Sequence, residues 1–341
     1  MNRLPVVDAG PLLEGAGDLV DTALAVDEAC REVGFFYVTG HGVDPSLRAG
    51  LDDLARRFFA LGADEKSRIA MARAGPAWRG WFPVGGELTA GVPDAKEGLY
   101  FGSELGPEDP RVAAGRPLHG ANLFPRRPAG LRDAVLAYMD QMARLGQAIL
   151  GAVAVALGLD RHWFGDHLTA DPTLLFRIFR YPPGAPDHDG RWGVAEHTDY
   201  GLLTLLGTDG HGGLEVRTPG GWIGAPPLGD ALVCNLGDML ERLTGGRYRS
   251  TAHRVPVTGE DRLSFPFFLD PSWDAVVERL PVVPRPPDGA AGERWDHASV
   301  HGFSGTYGEY LVDKVARVFP DLARGTVPGS PGQRRSAGSS A

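Results

Sequence analysis

His197 and Asp199 stand two residues apart in the stretch AEHTDYG, among apolar strand-like segments and glycine turns. Alternate residues of a strand project to one face, so His197 and Asp199 aim a nitrogen and an oxygen at a common point while Thr198 faces away. That pairing suits a metal ion. A third ligand must come from a segment brought close by the fold, and STAHRV offers His253, 54 positions after Asp199 and far enough for several intervening strands. Two imidazoles and a carboxylate on one face of a metal leave the opposite positions open, an arrangement shared by non-haem Fe(II) and by catalytic zinc.

A second pair follows nine positions after His253, where Arg262 and Ser264 again lie two apart in RLS. Arginine offers a planar fork of donors matched to a carboxylate, and serine adds a hydroxyl to the same anion. The spacing therefore implies a carboxylate ligand beside the metal.

These residues need strands to hold them. After Thr173 the segments LLFRIFRYP, LLTLLGT, GLEVRT, WIGAP, ALVCNLG, TAHRVPV and RLSFPFFLD follow one another with turn signals every eight to twelve residues, which predicts a β-sandwich or a barrel-like double sheet. Before them, PVVDA and GFFYVTG read as strands and residues 18–32 as a helix. DPSLRAGLDDLARRFFAL reads as a helix capped by Asp44. Residues 75–128 are rich in Gly and Pro and are predicted to form long loops over a surface or a cleft mouth. A long helix is expected over 131–157, a last helix over SGTYGEYLVDKVARVFPDL, and disorder in the tail RGTVPGSPGQRRSAGSSA.

Composition narrows the partners. The 341 residues are 43% hydrophobic and carry a formal charge of −9 with no long acidic or basic run, so a small molecule is expected, with no nucleic acid and no membrane. Cys30 and Cys234 sit in apolar patterns and are expected to be reduced core residues. The N-terminus lacks a secretory h-region and the longest apolar run, 148–159, is too short to span a bilayer, so a cytoplasmic protein is expected, and a monomer.

The combined pattern of PVVDAGPLL, GFFYVTGHGV, RYPP, HTD, GGLEV, NLGDMLERLTGGRYRSTAHRV and RLSFPFFLDP resembles the isopenicillin N synthase-like branch of the Fe(II)/2-oxoglutarate-dependent oxygenases. The resemblance implies an α+β protein with a mainly β core, a double-stranded β-helix (jelly roll) flanked by helices. It divides the chain into an N-terminal α/β region (1–105), the jelly-roll catalytic core with the long and C-terminal helices (106–323) and a disordered tail (324–341). It implies that His197, Asp199 and His253 bind iron, and that Arg262, Ser264 and Tyr181 of RYPP grip the far carboxylate of 2-oxoglutarate.

Many plant members of that family read N-Y-Y-P where this chain has Phe179, Arg180, Tyr181 and Pro182, so the asparagine donor is missing here. The implied reaction uses Fe(II), 2-oxoglutarate and O2 to hydroxylate, desaturate or cyclise a small molecule of secondary metabolism, releasing succinate and CO2. The alternative within the fold is an iron oxidase that dispenses with 2-oxoglutarate, of the isopenicillin N synthase or ethylene-forming kind.

Substrate contacts are less sharply marked. Arg177 lies four residues before Tyr181 on one strand, which makes it a candidate for a substrate carboxylate or a strand-edge surface pair. Arg79, Tyr100 and Phe101, with Trp81 and Phe82, fall in the loop region that covers the mouth in this family; substrate contact and aromatic packing are both open. Phe267 is a candidate for the pocket wall or the core. Arg79, Arg177 and Arg180 together favour a carboxylate-bearing or amino-acid-like metabolite. His41 and His211 are read as turn residues, and His188, His297 and His301 as polar-loop residues.

Overall fold

A computed structural model of the chain describes residues 3–14, 19–183, 192–280, 282 and 300–320. The tail expected after residue 323, His188 and His297 lie outside these residues. Fourteen strands are described: β1 Val6–Asp8, β2 Phe35–Thr39, β3 Gly80–Phe82, β4 Leu88–Thr89, β5 Val92–Pro93, β6 Glu97–Gly102, β7 Pro172–Tyr181, β8 Trp192–His197, β9 Leu203–Thr208, β10 Glu215–Thr218, β11 Gly221–Gly224, β12 Leu232–Leu236, β13 His253–Pro256 and β14 Arg262–Ser272.

From β7 onward the chain passes back and forth between two sheets. The larger runs β1-β2-β12-β9-β14-β7-β6-β3 and the smaller β11-β10-β13-β8, so β7, β9, β12 and β14 lie in one and β8, β10, β11 and β13 in the other. Alternation between two facing antiparallel layers makes the jelly roll, and the inward side chains of both layers form its core. The short apolar segments dictate this: β12 is buried at every position, and a strand buried on both faces must be covered on both.

Helices supply that cover. Leu131–Ala156 buries Val135, Tyr138, Met142, Leu145 and Ile149 and packs on β9 and β14. Pro45–Phe59 packs on the same long helix and begins as expected, with the Asp44 carboxylate accepting the Ser46 backbone N–H at 2.7 Å and Pro45 in the first turn. Tyr307–Val318 starts with a reciprocal capping box between Thr306 and Glu309. Cys30 and Cys234 are buried free thiols.

The expectation of long loops over 75–128 is corrected. That segment contains β3 and β6, which extend the larger sheet beyond β7, and the hairpin β4–β5. Every residue of β6 is buried, so EGLYFG is a core strand and not a surface loop. Its Gly content and the prolines around it mask a strand whose partner, β7, lies some seventy residues further on, because pairing across that distance leaves no local periodicity.

Candidate active site

Antiparallel pairing of β13 with β8 sets His253 directly opposite His197, and Asp199 follows two residues past the end of β8. The two imidazole rings lie 4.2 Å apart between centroids, and each Nε2 stands 3.8 Å from Asp199 Oδ1. One ligand atom from each of the three side chains falls within 4.8 Å of the others, the only such group of three found among the described residues.

Neighbouring groups aim these atoms. The Nδ1 of His197 faces the Ala195 carbonyl at 2.8 Å and that of His253 the Thr251 carbonyl at 3.1 Å, which puts the proton on Nδ1 and turns each Nε2 lone pair inward. Asn235 Nδ2 and Thr204 Oγ1 both donate to Asp199 Oδ2 at 2.6 Å, leaving Oδ1 for a metal. Burial and the adjacent His197 push His253 down to about 4, so its imidazole is neutral at physiological pH. Burial would raise Asp199, but the two histidines and its two hydrogen bonds outweigh it and hold the carboxyl below the ordinary range. Two imidazoles that present Nε2 and one carboxylate form a facial donor set for a divalent ion.

Beside this cluster, β14 pairs with β7 so that Arg262 opposes Tyr181 and Ser264 opposes Phe179. The Arg262 guanidinium lies 3.9 Å from the Tyr181 ring centroid and donates one bond, to the Gly212 carbonyl at 3.1 Å. Its Nε and Nη2 are buried with no hydrogen-bond partner, and the Ser264 and Tyr181 hydroxyls lie 3.4 Å apart next to it. Gly213, at φ +125°, lets the backbone pass so close that a Cβ there would sit 3.1 Å from the guanidinium. Buried guanidinium donors left unpaired call for an anion. A dicarboxylate reaching from the metal to Arg262 fits this donor set.

Both groups open into one cavity of about 500 Å³. Arg177 and Tyr100 also line it. Three other expected contacts do not. Arg79 is buried away from the cavity and donates to the carbonyls of Ser103, Leu118 and Gly120, so it ties together the loops around it. Phe101 stacks on Phe124 and Phe176, and Phe267 is wholly buried between sheet and helices; its neighbour Phe268, on the opposite face of β14, lines the cavity instead. Arg180 turns outward to Asp261 and Glu97.

Sequence reasoning missed Glu87 and Lys96, which line the far wall, and Leu311, Lys314 and Phe319 of the C-terminal segment, which close one side. The signal for Lys96 was a charged residue against a fully buried strand. Nothing in the sequence marked the helix as a wall. His41 is the turn residue expected, its Nδ1 accepting the Val43 N–H. His211 does occupy a turn, held by Asp209, but also reaches the cavity beside Arg262.

Residues 172–271 match the 2OG-Fe(II) oxygenase superfamily, and residues 4–127 match the N-terminal family described as non-haem dioxygenase in morphine synthesis. A probable iron/ascorbate oxidoreductase of Dictyostelium discoideum is 42% identical, over 94% of this chain and 96% of its own length. The chain belongs to the 2OG-Fe(II) oxygenases. The 2-oxoglutarate-dependent dioxygenase citB of Monascus ruber is 39% identical over 93% of this chain and 95% of its own. Among solved structures, a full-length Neurospora crassa protein in complex with alpha-KG and 5-formyluracil superposes with a TM-score of 0.75 at 27% identity, covering 92% of this chain and 96% of that one. This oxygenase is therefore a 2-oxoglutarate-dependent dioxygenase with a His-Asp-His iron site. It uses Fe(II), 2-oxoglutarate and O2 to oxidise a small molecule, with release of succinate and CO2.

Proposed function

We propose that His197, Asp199 and His253 are the three iron ligands, and that Arg262, Ser264 and Tyr181 bind the far carboxylate of 2-oxoglutarate. The observation that carries this reading is the pair of buried, unpartnered Arg262 nitrogens in the same cavity as the three-residue cluster. Iron supplies oxygen activation when bound. The chain's own contribution is to hold the dicarboxylate by a charge-assisted fork, to orient the imidazoles, and to line the reacting volume with buried residues that limit water.

Arg177 and Tyr100 are proposed as substrate contacts on the wall beyond the iron. Arg79, Phe101 and Phe267 act through packing and loop anchoring. A cytoplasmic, monomeric enzyme of secondary metabolism is the wider reading, and a net charge of −9 without a basic track argues against a nucleic-acid partner. No helix among the described residues is long and apolar enough to cross a membrane. The regions 1–105 and 106–323 are proposed as segments of one folding unit, supported by the pairing of β2 with β12 and of β6 with β7.

The test is oxygen uptake by the Fe(II)-loaded protein across a panel of small metabolites with 2-oxoglutarate present. Succinate forming in proportion to oxidised product is the expected result. Substrate oxidised without 2-oxoglutarate and without succinate would assign Arg262 to the substrate and replace this reading with an oxidase.

A further inference from the structure

One wall of the cavity carries buried charge of both signs. Lys96 is 1% exposed and its ammonium sits between two carboxylates, 2.8 Å from Glu87 Oε2 and in contact with Asp94 Oδ2. Burial alone would discharge this amine, but Glu87 and Asp94 outweigh it and keep it cationic. Burial and Glu87 push Asp94 up to about 6, so it is ionised at pH 8 and, together with Glu87 and Lys96, makes a trio with one excess negative charge. Glu87 Oε1 accepts the Tyr100 hydroxyl, whereas Oε2 meets Lys96 as an ion pair and has no hydrogen bond.

Across the Tyr100 ring lies the opposite pole. The Arg177 guanidinium sits 3.5 Å from the ring centroid and donates to the backbone carbonyls of Phe101 and Phe176, each at 3.3 Å. Among the described residues it forms no ion pair. Its charge registers on Asp270, a carboxyl pushed up to about 7 by burial and already bonded by Tyr307.

Charge on side chains buried this deeply must nearly cancel, since an uncompensated buried ion is strongly destabilising. At the iron end, a doubly charged metal, the Asp199 carboxylate, a 2-oxoglutarate dianion and the Arg262 cation sum to zero. At the substrate end, Lys314 is matched by Asp238 at 3.8 Å, Arg177 offsets the excess charge of the Glu87–Lys96–Asp94 trio, and any ionisation of Asp270 adds negative charge. A simple anion would pair with Arg177 and leave the trio uncompensated. A molecule carrying both charges satisfies both poles.

We propose that the substrate is a zwitterion, of the amino-acid type, whose anionic oxygen meets Arg177 and whose protonated nitrogen meets Glu87. This rests on the reading of the cavity as an oxygenase site, and it goes beyond the expected carboxylate-bearing or amino-acid-like metabolite by requiring both charges and naming the residue that meets each. Glu87 and Arg177 thereby set specificity by charge.

The test uses the holoenzyme with Fe(II) and 2-oxoglutarate under anaerobic conditions. The twenty amino acids are each compared with their deaminated acid and their decarboxylated amine, and binding is read by thermal shift and calorimetry. At least one amino acid should bind at least about tenfold tighter than both of its partners. With that ligand, Glu87→Gln should remove the advantage over the deaminated acid, and Arg177→Gln should weaken acid and amino acid alike while sparing the amine. A loss of packing would weaken all three together. The proposal is overturned if no amino acid outbinds its deaminated acid, or if both variants weaken all three ligands equally. The visible band of chelated 2-oxoglutarate, recorded on the same samples, separates the two failures: band present with no zwitterion preference removes this proposal alone, and band absent removes the oxygenase site assignment as well.

Discussion

At the iron end of the cavity the functional groups sit on paired strands. His197 and His253 face each other across β8 and β13, and Arg262 and Tyr181 across β14 and β7. At the substrate end, Glu87 and Lys96 lie just before β4 and β6, outside any strand, Tyr100 faces Arg177 across the β6–β7 pair, and helix Tyr307–Val318 closes the side. The first arrangement fixes its four residues in hydrogen-bonded ladders, and Asp199, just past β8, is aimed by Asn235 and Thr204. At the second, Glu87 and Lys96 are held mainly by their mutual charges, so sequence changes at those two positions retune what binds without disturbing where iron sits.

The sharpest way to break this contrast is to remove a ligand. Asp199→Ala should abolish iron binding and reduce turnover to background, while circular dichroism stays that of a folded protein. Its cost is the loss of an acceptor for Asn235 and Thr204, of order 1–3 kcal/mol for each buried donor left unpaired. Full activity in that variant contradicts the ligand assignment. Arg262→Leu comes next. Losing a charge-assisted fork worth about 1.5–3 kcal/mol per bond should weaken 2-oxoglutarate binding by at least about tenfold and leave iron affinity unchanged in calorimetric titration.

A smaller effect is expected behind the ligands. Asn235→Ala removes one of two donors that orient Asp199, and metal affinity should fall by about tenfold, the low end for such partners. An unchanged iron affinity would show that Thr204 alone positions the carboxylate.

The smallest effect concerns pH. Burial pushes Asp270 up to about 7, with the Asp199 charge acting in the same direction. Between its unfolded value of ~3.9 and about 7 the folded state binds the extra proton, so this group's contribution to stability falls as pH rises through that window. In the metal-free protein, Asp270→Asn should therefore gain relative to wild type, by a few degrees of Tm, on going from pH 5 to pH 8. An identical pH dependence in both proteins would mean that Asp270 titrates normally. The carboxylate also packs so tightly on Gly201 that a Cβ there would overlap Oδ1, so any side chain at Gly201 should displace it.

The same contrast explains what could be read from the chain. His197, Asp199, His253, Arg262 and Ser264 were legible because a two-residue spacing on a strand is a local fact with a geometric consequence. So was the alternation of short apolar segments that builds the two sheets. Glu87 and Lys96 were not, since their meaning depends on a pairing between β6 and β7 that spans some seventy residues. Arg79 and Arg177 look alike in sequence, yet one is spent on loop carbonyls and the other faces the cavity. Phe267 and Phe268 differ by one residue, and the strand's two-residue period sends them to opposite faces.

That the two ends act separately is tested most directly by anaerobic titration of 2-oxoglutarate into the Fe(II) protein, following the weak visible band of the chelated keto acid in wild type, Arg262→Leu and Arg177→Gln. The account predicts the same half-saturation in wild type and Arg177→Gln, and at least about a tenfold higher one in Arg262→Leu. A shift in Arg177→Gln with none in Arg262→Leu would contradict it and place the co-substrate at the far wall.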